Sequence, residues 1–118
     1  DYFVGSQSVI DKETGLEWQK RDDNFLRTWN AAWTYCRNLS LGGDGWRMPD
    51  LKELHSIVDI SSKDPAVNDS AFPGTESTAY WSATTNAGNS SKAWWIFFQT
   101  GESGNDLKIT AYAVRCVR

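Results

Sequence analysis

The chain has 118 residues and a formal net charge of −3, from 12 Lys and Arg against 15 Asp and Glu. That length fits a single domain over 1–118, and the acidic balance argues against a nucleic-acid binder, which carries a basic footprint. Seven Trp, four Tyr and five Phe bring enough ring area for a packed core, which excludes disorder, and no apolar run approaches the roughly 18 residues of a membrane span.

Residues 8–19 read as a β-hairpin. Val9 and Ile10 lead into Asp11-Lys12-Glu13-Thr14-Gly15, a turn in which glycine supplies positive φ. Leu16, Glu17, Trp18 and Gln19 then alternate apolar and polar with period two. The charged stretch Lys20–Leu26 reads as a loop. Thr28 is a candidate N-cap for a helix running to about Leu39. On it Trp29, Ala32, Trp33, Cys36 and Leu39 form an apolar stripe, so Cys36 is expected to face the core.

Gly42-Gly43-Asp44-Gly45 turns the chain, and Trp46-Arg47-Met48-Pro49-Asp50 opens a second helix. Asp50 with Glu53 three residues on has the spacing of a capping box. Leu51, Leu54, Ile57 and Val58 form the inner face, and the helix is expected to stop near Asp59. Residues 60–78 are rich in Ser, Asp, Pro, Thr and Gly and read as a long surface loop.

The last forty residues read as β. Tyr80-Trp81-Ser82 starts a strand. Ala93–Gln99 is apolar on both faces, which predicts a central strand. Residues 101–106 read as a turn, and Leu107–Val117 as a returning strand. On that strand Tyr112, Val114 and Cys116 share one face, and Ala113, Arg115 and Val117 the other. The order hairpin, helix, helix, long loop, strands predicts an α+β fold, two helices packed on an antiparallel sheet with long loops.

Cys36 and Cys116 leave two readings: one disulfide closing about 80 residues, or two buried thiols. Two Cys and one His cannot build a four-ligand zinc site. The disulfide is the expected outcome, since helix and last strand both point their cysteine inward. It implies an oxidising compartment, either extracellular or cell-surface, with the periplasm as the alternative. No charged and then apolar leader opens the sequence, so a secretion signal is expected to lie outside it or to have been removed.

The residues that usually carry catalysis are sparse. His55 is the single histidine, set in an amphipathic helix without a nucleophile in a recognisable motif. No G-x-S-x-G, P-loop, H-E-x-x-H or dinucleotide fingerprint occurs, so no enzymatic activity is expected. Asp59, Asp64 and Asp69, with Asn68, bracket the long loop and are weak candidates for Ca²⁺, a hard cation that takes oxygen ligands. Their spacing matches no EF-hand, and otherwise no metal or cofactor is expected.

Five segments in order carry a family resemblance. Thr14-Gly15-Leu16-Glu17-Trp18-Gln19 resembles T-G-L-x-W-Q, and Leu41 to Pro49 resembles L-G-G-x-x-D-W-R-L-P, followed by Glu53-Leu54. Tyr80-Trp81-Ser82-Ala83-Thr84 resembles Y-W-S-S-T. Ala93-Trp94 and the closing Val114-Arg115-Cys116-Val117-Arg118 resemble A-W and V-R-C-V-R. Over residues 8 to 118 the chain is similar to the C-terminal domain family of the Legionella collagen-like adhesin and its bacterial relatives. The resemblance implies a C-type-lectin-like fold, also used by formylglycine-generating and sulfatase-modifying enzymes, whose catalysis needs cysteines beyond a structural pair. No E-P-N, Q-P-D or W-N-D tripeptide appears, so the Ca²⁺-bridged sugar site of true lectins does not carry over.

The resemblance also implies adhesion, including binding of sulfated glycosaminoglycans, which calls for Lys and Arg placed to meet sulfates. The basic candidates are Lys20, Arg21 and Arg27 in one loop, with Lys92 and Lys108 further on. Arg115 and Arg118 also lie near the C-terminus, and Arg115 reads equally as a structural partner. Loops 60–78, 86–92 and 100–106 are the expected recognition segments, and Trp18, Trp29, Trp33 and Trp81 are expected in the core. The leading expectation is therefore a surface-exposed bacterial adhesion domain that binds glycans. The alternatives are a protein-binding receptor module of a fibre or phage-type receptor binder, and a degenerate relative of the formylglycine-generating enzymes. The expected partner is a glycan or a host or partner surface protein, with no membrane insertion, and homo-oligomers would form through neighbouring stalk regions.

Overall fold

In the computed structural model, which describes residues 1–118, three strands open the chain: β1 (Tyr2–Val4), β2 (Ser8–Asp11) and β3 (Glu17–Gln19). β2 and β3 form the expected hairpin, with Val9 opposite Trp18 and Ile10 opposite Glu17. Gly15 sits at φ +76° in the turn. β1 adds antiparallel to the other edge of β2; three residues were too short a run to read as a strand.

Helix α1 (Trp29–Asn38) is capped by Thr28, whose hydroxyl accepts the Ala31 N–H. Ala32 and Cys36 are buried, but Trp33 is not in the core: it is 39% exposed. The buried stripe is centred on two small residues and is narrow, and Trp33 lies about 100° around the helix from Ala32.

Helix α2 (Leu51–His55) opens on the expected capping box, Asp50 accepting the Glu53 N–H and Glu53 accepting the Asp50 N–H. It ends at His55, short of Asp59. The Ile57 and Val58 N–H groups bond three residues back, to Leu54 and His55, and the Asp59 N–H turns to Ala66. The chain thus tightens and leaves to pair with the next segment. Ile57 still reaches the core, from a turn rather than from the helix.

The second sheet has the order β4-β5-β6, from β4 (Ala79–Thr85), β5 (Lys92–Phe97) and β6 (Glu102–Leu107), all antiparallel. β5 is central, as expected. Two expectations fail here. The 101–106 segment is strand β6 and not a turn, and Leu107–Val117 is not a regular strand. It threads between elements, pairing singly through Tyr112 with Arg27, Ala113 with Tyr80, and Val117 with both Trp18 and Arg47. The fold is α+β, with two sheets where one was expected.

Threading that last segment through the middle organises the core. Twelve buried residues, including Trp18, Leu54, Phe72 and Tyr80, form one cluster, and eight, including Trp46, Trp81 and Cys36, form another. The expected alternation holds: Ala113 and Val117 enter the first cluster, Val114 and Cys116 the second. Cys36 and Cys116 are joined by a disulfide across a sequence separation of 80, with Cα atoms 5.4 Å apart. The 60–78 loop is not a surface loop throughout. Ala66, Val67, Ala71 and Phe72 are buried, and Phe72 meets Trp18 and Tyr2 edge-on. No helix is long and apolar enough to cross a membrane.

Candidate functional site

Arg115 is 1% exposed and structural. Its guanidinium donates to the Gln19 and Lys20 carbonyls at 2.7 and 2.6 Å and to the Thr75 hydroxyl at 2.7 Å, and lies 3.5 Å from Asp22. It thereby fixes the start of the Lys20–Leu26 loop. Burial raises the Asp22 pKa despite the pull of Arg115, and the same burial lowers that of Arg115. Arg118 has a comparable role. It pairs with Glu17 at 2.8 Å, donates to the Gly42 and Asp44 carbonyls, and covers the Trp46 ring at 4.6 Å.

The five basic candidates fall in two places. Lys20 donates to the Gly5 carbonyl, and Arg21 beside it lines a shallow groove of about 220 Å³ with Ser6, Gln7 and Leu39. Arg27, Lys92 and Lys108 instead gather around the Leu107–Tyr112 segment: Arg27 pairs with Tyr112, Lys92 stands opposite Leu107 in the sheet, and the Lys108 carbonyl accepts the Trp29 N–H. Arg27 is held by Asp23 on two nitrogens and lies 3.9 Å from the Tyr35 ring centroid. Those bonds keep the Asp23 carboxyl below its ordinary pKa. Lys108 donates to the Thr85 hydroxyl and sits 4.1 Å over the Trp29 ring.

Around Lys108 the structure assembles a surface that the sequence reading missed. Trp29 and Trp33 stack at 5.8 Å with 29° between their planes. The Arg37 guanidinium stands 5.9 Å from the Trp33 ring centroid. Positions 29, 33 and 37 are spaced i, i+4, i+8, one row along α1. The signal was present in that spacing but was absorbed into the core stripe. Phe25, Leu26 and Ile109 are also strongly exposed.

Of the expected recognition segments, 86–91 is an exposed loop, whereas most of 100–106 is β6 and part of 60–78 is core. The structure does not bring the Ca²⁺ candidates together. Asp59 accepts from Ser61 and Ser62, Asn68 accepts from the Ser70 and Ala71 N–H groups, and Asp64 and Asp69 are exposed. No three His, Cys, Asp or Glu side chains group in a way that suits a metal ion. His55 is exposed and lines an open groove of about 580 Å³ with Asp50, Lys52, Thr84 and Ser103.

The family model of the Lcl C-terminal domain matches residues 7–118. No curated protein matches the chain.

Proposed function

The chain belongs to the Lcl C-terminal domain family, which makes it an adhesin-related domain, and from that premise we propose that it is an extracellular recognition domain that binds acidic glycans and performs no chemistry. The observation that carries the reading is the row of cations and indoles along α1, Lys108 over Trp29, Trp29 on Trp33, and Arg37 beside Trp33. The exposed Trp33 indole, backed by half-buried Trp29, offers a flat, electron-rich face to the C–H groups of a sugar ring, and the cations beside the pair suit sulfate or carboxylate groups. The disulfide supports the extracellular location. The tie from the first helix to the last segment, together with the long partly buried 60–78 loop, supports a C-type-lectin-like fold.

A second reading has its own observation. Exposed Phe25, Leu26 and Ile109 are the kind of residues that anchor a protein partner. The enzyme-relative reading has less support, because both cysteines are in the bridge. A glycan array probed at low and at physiological salt tests the proposal. Retention of acidic glycans that falls steeply with salt is expected, and Lys108→Glu weakens it without lowering the melting temperature. Retention of no glycan, or binding indifferent to salt, refutes it in favour of a protein partner or a neutral sugar.

A further inference from the structure

We propose that the acidic saccharide is held on the outer side of α1, with a sugar ring against Trp33 and an anionic group on Arg37, and that the ligand continues into the groove beyond Arg37. This rests on the glycan reading above and adds the place and the residues.

Four observations converge there. Trp33 is a large indole left 39% exposed, one side supported by Trp29, and its N–H has no hydrogen-bond partner within the protein. A supported ring loses little freedom on binding, and a free indole N–H can donate to a sugar hydroxyl. Arg37 is in no ion pair. Arg27, Arg47, Arg115 and Arg118 are each bound to a carboxylate, so their charge is already answered. Arg37 also lines a groove of about 400 Å³ together with Asp44, Gly45, Trp46 and Arg47. That groove continues the row Lys108, Trp29, Trp33, Arg37, so cations stand at both ends of the indole pair. The one carboxylate lining the groove, Asp44, lies in the glycine-rich turn and would repel an anionic group placed next to it. Arg suits this position better than Lys would, because its planar guanidinium can stack on an indole and still present a two-pronged donor to a sulfate or carboxylate.

The test is a titration of the ¹⁵N-labelled domain, following the indole N–H resonances, with Trp33→Phe to assign that of Trp33. The probes are a heparin hexasaccharide (sulfate and carboxylate), a hyaluronan hexasaccharide (carboxylate alone) and maltohexaose (neutral). The Trp33 resonance is expected to move with one or both acidic probes, while those of buried Trp46 and Trp81 stay. Trp33→Ala and Arg37→Glu should each weaken binding by about fivefold or more, with Lys12→Glu in the β2–β3 turn changing it little. Arg37 is exposed and unpaired, so its variant reports on binding even if Trp33→Ala is poorly folded. Binding of an acidic probe with the Trp33 resonance still and Arg37→Glu unaffected overturns the site and leaves the glycan reading standing. Maltohexaose binding as tightly as the acidic probes overturns the role of Arg37. Binding of none of the probes, with no resonance of the domain moving, overturns both the site and the glycan reading.

Discussion

Arg115→Met keeps much of the side-chain volume and removes only the guanidinium. In the native structure that group answers two carbonyls, of Gln19 and Lys20, and the Thr75 hydroxyl, and faces Asp22. Each buried acceptor left without a donor costs about 1–3 kcal/mol, so the buried Gln19 carbonyl and Thr75 hydroxyl together give about 2–6 kcal/mol, while the half-buried Lys20 carbonyl adds less. Removing one partner of a buried ion pair costs about 3–5 kcal/mol in general, which agrees. Against a total stability of about 5–15 kcal/mol for such a domain, the variant sits near the edge of folding. The assay is urea denaturation followed by Trp fluorescence. The pH dependence adds a second readout. The Asp22 pKa is raised in the folded state, chiefly by burial, so its contribution to folding is most favourable in acid and is lost as pH rises through the folded value. Without Arg115 the pull toward the charged form is gone, so the loss in Arg115→Met is greatest at neutral pH and shrinks as pH falls. Adding Asp22→Asn to the variant should recover part of the loss. A neutral-pH loss under about 1 kcal/mol, or one indifferent to both pH and Asp22→Asn, would refute the reasoning.

Replacing Cys36 and Cys116 by Ala frees a loop of 80 residues and should cost about 4–5 kcal/mol in the chain-entropy picture; the unreduced wild-type protein should weigh two hydrogens less than its sequence, and a mass without that deficit would remove the bridge. Trp46→Ala empties a site that is 1% exposed, with its indole N–H on the Leu41 carbonyl, and should cost about 3–5 kcal/mol by thermal melting. Hydrogen bonds from Arg118, Arg27 and Arg47 lower the pKa values of Glu17, Asp23 and Glu53. Their contribution is therefore present above the ordinary carboxylate range of about 4 and is lost as pH falls through the lowered values. The urea midpoint should drop in acid, and less so in Arg47→Gln; a midpoint that rises toward acid would contradict this.

Local chemistry was legible where a few adjacent residues carry it. The Gly15 turn, the Thr28 cap and the Asp50–Glu53 capping box each close hydrogen bonds within a handful of residues, so the sequence specifies them directly. The alternation from Tyr112 to Val117 was legible too, because two buried sides on one extended segment require it, even though the segment is not a strand.

What tertiary structure decided lies where residues far apart compete for the same backbone or the same charge. Glu102–Leu107 has the composition of a turn, yet it is a strand because β5 offers it a partner along its whole length. Gly104 is needed there because a side-chain carbon would fall 2.4 Å from the Trp95 ring, a contact made across the sheet and invisible in either segment. Arg27 read as a surface cation until Asp23 closed on it, and whether Arg115 is a surface cation or a structural partner was decided by the Gln19 and Lys20 carbonyls. Arg37, which no carboxylate meets, was never singled out, because which charges remain free depends on which others find partners. Trp33 went the same way. Helical spacing sets its angle around α1, but how wide a stripe is covered depends on what packs against the helix, and here only the narrow strip around Ala32 and Cys36 is covered.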